Sequence, residues 1–144
     1  MAKITSFMIQ EAYIKAKLVY ENKMTQNHAI SDLIEIKLNP SSASDLINNL
    51  KCMLDGKRYT RTNSALTTNI FLNNILRDFG KNILQNALYS LKRHIQYYEN
   101  LQKTNMKTQR EILNNFLKFA YDPIKIIYAN NVFSKPTKND FIKI

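Results

Sequence analysis

Residues 39–64 read NPSSASDLINNLKCMLDGKRYTRTNS, a helix followed by a basic loop. Asn39 is a good N-cap, and Pro40 suits the first helical position, where no backbone N–H is needed. Ala43, Leu46, Ile47, Leu50, Met53 and Leu54 recur at three- and four-residue steps and make one apolar face. Ser41, Ser42, Asp45, Asn48, Asn49 and Lys51 occupy the opposite face. Gly56 stands where a left-handed helix end favours glycine. Lys57, Arg58, Tyr59 and Arg61 follow directly, so readable structure and readable chemistry meet in this stretch.

The flanks extend the helical reading. Residues 6–23 form a first helix with a stripe of Met8, Ala12, Ala16, Val19 and Tyr20. Thr25 caps a second helix through Glu35, with Ala29, Ile30, Leu33 and Ile34 on its apolar side. The turn Ile36-Lys37-Leu38-Asn39 then enters the central helix. After the loop, Asn63 or Ser64 caps a helix over 65–79 with a ridge of Leu66, Ile70, Phe71, Ile75 and Phe79, closed by Gly80. The longest helix spans 81–103, with Leu84, Leu88, Leu91, Ile95 and Tyr98 at seam spacing. A last helix begins at Thr104 or Asn105 and runs to Tyr121, burying Ile112, Leu113, Phe116, Leu117 and Ala120. Asp122-Pro123 stops it, because a residue before proline avoids helical angles.

The expected architecture is all-α: a compact bundle of five to six helices with a helix-turn-helix-like hairpin and a short irregular C-terminal tail. Residues 1–122 make the helical domain and 123–144 a basic strap or tail, in which Ile124, Ile126, Ile127 and Tyr128 form a strand or strap. In the 144 residues there are two glycines and three prolines, which fits long helices with short turns better than a β-sandwich. Cys52 is the sole cysteine, so no disulfide forms within one chain; it reads as a partly buried small side chain. The N-terminus lacks the apolar core of a secretory signal, and no run approaches the ~18 apolar residues of a membrane span. The expected setting is cytoplasmic.

The net charge of +10 favours polyanionic partners, nucleic acid before an anionic membrane surface. In a helix-turn-helix the start of the second helix enters the major groove. That places Ser41, Ser42, Asp45 and Asn48 as base-facing candidates and Lys51 as a phosphate contact. In the loop, arginines grip phosphates and a tyrosine ring stacks on a base; the alternative is a solvated connector with Tyr59 tucked into the core. The nucleic-acid site residues expected are Ser41, Ser42, Asn48, Asn49, Lys51, Lys57, Arg58, Tyr59 and Arg61.

Chemistry is harder to seat. Two glycines cannot build a phosphate-cradling loop. No His, Cys, Asp and Glu cluster has metal-ligand spacing, so no metal or cofactor is expected. No nucleophile has a visible base, and His94 reads as a surface or half-buried side chain. No catalytic residue is assigned. A small enzyme using His94 with Glu99 or Asp78 is the weakest of the readings.

The runs NPSSASDLINNLKCMLDGKRYTRTNSA, NIFLNNILRDFG and ALYSLKRHIQYYENL, within residues 39–103, resemble a helical region found ahead of the nuclease domain in bacterial HNH-type restriction endonucleases. The resemblance implies an accessory module that helps a nuclease engage DNA, by contacting the duplex or by pairing subunits. It carries over no catalytic residue: the 22 residues after Asp122 contain no histidine and are too few for a metal-gripping ββα unit. It maps Lys57, Arg58, Tyr59 and Arg61 onto the family's basic stretch, and Ser41, Ser42 and Asn48 onto the helix before it.

Two functions are therefore expected. The first is a non-catalytic nucleic-acid-binding module, with DNA the expected partner, of restriction or phage-defence type. The second is a protein–protein module, either a dimerisation domain or a phage-type inhibitor of a nucleic-acid enzyme. Eight Tyr, seven Phe and five Met supply anchors for the second.

Overall fold

The computed structural model describes residues 3–121, with Tyr121 described by its backbone alone. Six helices follow one another there: α1 (Ser6–Tyr20), α2 (Gln26–Glu35), α3 (Pro40–Asp55), α4 (Ala65–Phe79), α5 (Lys81–Gln102) and α6 (Lys107–Tyr121). The expected stop at Asp122-Pro123, the strap at 124–128 and the basic tail all lie outside the described residues.

Local sequence sets where each helix starts. Thr5, Thr25, Asn39 and Ser64 each accept, through a side-chain oxygen, the N–H three residues on. This satisfies one of the donors that a helix start leaves unpaired. Asn63, the other candidate cap for α4, is instead buried in the loop. α6 begins at Lys107, two residues later than the nearer expected start, because Glu99 of α5 accepts the Met106 N–H at its entry.

Three helices end alike. Lys23, Leu38 and Lys57 return their N–H groups to Leu18, Leu33 and Cys52, and Asn22, Lys37 and Gly56 to Val19, Ile34 and Met53. This is the Schellman pattern, with Asn22, Lys37 and Gly56 at φ +60°, +78° and +70°. The α2–α3 turn has no glycine, and Lys37 takes the left-handed conformation in its place.

The core runs through α1, α3 and α5. Ile9, Tyr13 and Ala16, then Ile47, Leu50 and Leu54, then Leu84, Leu88 and Leu91 are all essentially buried. α3 packs against α1, α2 and α5; α4 packs against α1, α5 and α6. Side-chain ties link the helices at the rim. Tyr13 Oη donates to Asp78 at 2.8 Å, and Asn74 donates to Gln10 at 2.7 Å. Arg110 Nε donates to Glu99 at 2.7 Å.

Several helix faces differ from expectation: Ile34 of α2 is 43% exposed, and Phe116 and Leu117 of α6 are half-buried. On α1 the buried residues are Ile9, Ala12, Tyr13 and Ala16, while Met8, Val19 and Tyr20 are half-buried. α1 is apolar around much of its circumference and meets three other helices, so periodicity alone did not fix its inward face. On α4 Leu66 is exposed, while Thr67, Thr68 and Asn74 are buried. Polar partners on other helices accept hydrogen bonds from Thr68 and Asn74, Gln109 at 3.0 Å and Gln10 respectively, while the Thr67 hydroxyl pairs with the cap Ser64 at 2.9 Å.

Gly56 supplies a testable point. An added Cβ there meets Asn86 only at an ordinary 3.5 Å, so Gly56→Ala costs backbone strain and not a clash. The expected loss of stability is about 1–2 kcal/mol, read by urea denaturation. No measurable loss would mean that the left-handed end of α3 does not form.

Candidate nucleic-acid interface

The loop from Lys57 to Asn63 joins α3 to α4, and its alternate carbonyls are each met by a helix side chain. Ser90 Oγ of α5 donates to the Lys57 carbonyl. His94 of α5 meets the Tyr59 carbonyl at 2.8 Å through Nδ1. Asn49 of α3 donates to the Arg61 carbonyl at 2.9 Å, and Gln109 of α6 donates to that of Asn63 at 2.9 Å. Asn86, one turn before Ser90, donates to Leu54 at the end of α3. Asn86, Ser90 and His94 thus form a polar stripe at i, i+4 and i+8 along α5, with the loop running beside it.

The chemistry fixes the tautomer of His94. A carbonyl can only accept, so Nδ1 carries the proton and Nε2 is left as an acceptor. The Thr62 hydroxyl, 3.0 Å away, donates to it. The ring is 0% exposed and stacks on Tyr59, centroids 4.4 Å apart and 12° from parallel. Tyr98 packs at a tilt on its other contacts, centroid 6.0 Å away. Burial pushes the imidazole's pKa below its ordinary value, partly offset by the Tyr59 carbonyl. His94 is therefore a neutral, buried anchor and not the surface or half-buried residue expected, because two polar loop groups are brought to its two nitrogens.

Tyr59 is also in the core. The ring that was a candidate for base stacking is 3% exposed and lies against His94. Its hydroxyl has no hydrogen-bond partner among the described residues, so apolar packing and not its polar end places it there. Asn49, expected on the solvent face of α3, is buried, its amide shared between Arg61 and Asn63. Neither side chain is available to a ligand. The local pattern could not show this, because their partners lie 12 to 35 residues away.

The remaining expected residues divide. Lys57, Arg58 and Arg61 are exposed on the anchored loop. Arg58 lies over the Tyr97 ring of α5, 4.3 Å from its centroid. Ser42 borders a cleft with Asn49, Thr62 and Asn63, on the loop side of α3. Lys51 borders a different hollow, with Asn22, Lys23 and Gln26 at the α1–α2 connection. Asn48 is held by Gln26 of α2 at 3.3 Å. Ser41 is exposed on the first turn of α3, which carries no cation. Lys51 and Asn48 are thus not gathered with the loop arginines.

The sequence reading missed part of this surface. At helical spacing, Tyr89, Arg93, Gln96, Tyr97 and Asn100 share one side of α5. Arg93 donates to the Tyr89 hydroxyl at 2.9 Å. The available signal was a pair of tyrosines interleaved with Lys92 and Arg93. Among the described residues, Lys57, Arg58, Arg61, Lys92 and Arg93 make no ion pair; the salt bridges there involve Asp32, Asp78, Glu21 and Glu99 instead. Asp78 and Glu99 are each held at a pKa of about 2, chiefly by hydrogen bonds from Arg77 and Arg110 respectively. Neither carboxylate approaches His94, so the acid–base pair considered from sequence does not assemble. Among the described residues no three His, Cys, Asp or Glu side chains converge as metal ligands, and no helix is long and apolar enough to cross a membrane.

Fold and site together define, among the described residues, a bundle of six helices that displays a clamped, cation-bearing loop beside the longest of them. No protein-family model, curated protein or solved structure matches the chain.

The buried imidazole makes stability pH-dependent in a stated direction. Once unfolded, His94 takes up a proton near its ordinary pKa of about 6.5, whereas the native ring resists until lower pH. Stability is therefore complete above that value and declines as the pH falls below it. Asp78 and Glu99, depressed to about 2, act only at lower pH. Urea melts at neutral and mildly acidic pH should show this decline, and His94→Gln should remove most of it. An unchanged slope in that variant would contradict the neutral anchor.

Proposed function

We propose that the protein is a nucleic-acid-binding module whose expected ligand is DNA, acting without chemistry of its own. The observation that carries this reading is the set of loop and α5 cations that have no carboxylate partner among the described residues, on a loop whose backbone is fixed by three helices. Fixing the backbone lowers the ordering cost of binding, and arginine offers a planar fork that matches phosphate oxygens. Lys57, Arg58 and Arg61 make the first contacts, with Arg93, one turn before Tyr97 on α5, beside Arg58. Ser41 and Ser42, on the first turn of α3, would add hydrogen bonds to the duplex backbone. The biological setting that the sequence resemblance implies is an accessory module of a restriction or phage-defence nuclease.

A second reading has its own support. Phe7 and Ile14, seven residues apart on α1, are 60% and 46% exposed. Exposed apolar groups one heptad apart suit a protein partner or a second copy.

Binding to a short labelled duplex at two salt concentrations tests the first reading. The log–log slope should fall by about 0.9 for each phosphate contact removed, so Arg58→Ala with Arg61→Ala should flatten it by nearly two. Unchanged affinity and slope would remove those arginines from the site. Native mass spectrometry tests the second: a dimer that Phe7→Ser with Ile14→Ser dissociates supports it, and a strict monomer counts against self-association.

A further inference from the structure

We infer that this surface grips the phosphodiester backbone of a duplex and does not read unpaired bases. The inference rests on the nucleic-acid reading above and narrows it to one form of ligand. Binding of single strands depends on aromatic rings offered to successive bases. Here the tyrosines are engaged by the protein itself. Tyr59 is buried against His94, and Tyr97 lies under Arg58. Tyr89 is hydrogen-bonded to Arg93, whose guanidinium stands 5.6 Å from its ring centroid.

What the surface offers outward is guanidinium. The Tyr97 ring holds the charge of Arg58 without taking its N–H donors in a hydrogen bond, so they stay available for phosphate oxygens. Tyr89 and Tyr97 stand eight residues apart on α5, about 12 Å along the axis. They hold two arginines at separate points along one helix, as contacts to backbone phosphates require and as a single compact anion would not. The one carboxylate on the helix, Glu99, lines a hollow with Gln96 and Asn100, but its charge is already met by Arg110 and the Met106 N–H. Phosphate contacts fix position without reading sequence, so affinity should be nearly independent of base order.

Tyr97 is then a positioning residue for Arg58. The experiment is fluorescence anisotropy of the full chain with two duplexes of unrelated sequence and one component single strand. The duplexes should bind alike and the single strand more weakly, with a shallower salt slope. Tyr97→Ala should weaken duplex binding by about three-fold with the slope unchanged, on the scale of an exposed cation–π contact. Tyr97→Phe should restore it, whereas Arg58→Ala should lower the slope by about 0.9. Thermal melts matching the parent protein confirm that each variant is folded. Tighter binding of the single strand, strong preference between the duplexes, or full affinity in Tyr97→Ala overturns the inference while leaving nucleic-acid binding intact. Absence of binding to either form overturns both.

Discussion

The loop between α3 and α4 must cross the bundle beside α5 without a strand to pair with, and its carbonyls must still be met. Leaving one buried carbonyl unpaired costs about 1–3 kcal/mol, a large part of a domain's net stability. Ser90, His94, Asn49 and Gln109 meet the four alternate carbonyls from three helices. That arrangement fixes which way the intervening residues face. Tyr59 and Asn63 turn inward, while Arg58, Thr60 and Thr62 remain exposed. The imidazole has a part no apolar residue could fill, since it donates to Tyr59 and accepts from Thr62 at once.

The electrostatics follow from the same division of labour. Carboxylates tie helix to helix: Asp78 joins α4 to α1, and Glu99 joins α5 to α6. They are thereby withdrawn from the loop. Lys57, Arg58 and Arg61 keep their charge uncompensated among the described residues, and α5 adds Arg93, one turn before the Tyr97 that lies under Arg58. Surface ion pairs contribute little stability, so leaving these cations unpaired costs the fold little. On the proposed function, a polyanion would meet a preformed partner, attracted at a range set by the ionic strength.

Much of the fold was legible. Thr25, Asn39 and Gly56 mark ends that local hydrogen bonding alone can settle and act as read, and of the two caps offered for α4 the structure uses Ser64. The α3 and α5 faces were also legible, because each helix has one continuous apolar side. α1 was not, since apolar residues surround it and only its neighbours choose the inward side. The site was half legible. The exposed cations of the loop could be named, but Asn49 and Tyr59 are anchors and His94 is buried.

The amino-acid order by itself determined an all-helical bundle of five to six helices and most of the helix ends, because those depend on contacts within a turn or two of chain, and its composition fixed the surplus of positive charge. Only the tertiary structure decided that Lys51 and Asn48 stand apart from the loop arginines, and that Arg58 rests on Tyr97. Those placements depend on residues 22 to 39 positions apart in the chain meeting across helix interfaces. Periodicity describes one helix at a time and carries no information about which side of it a distant segment will come to occupy.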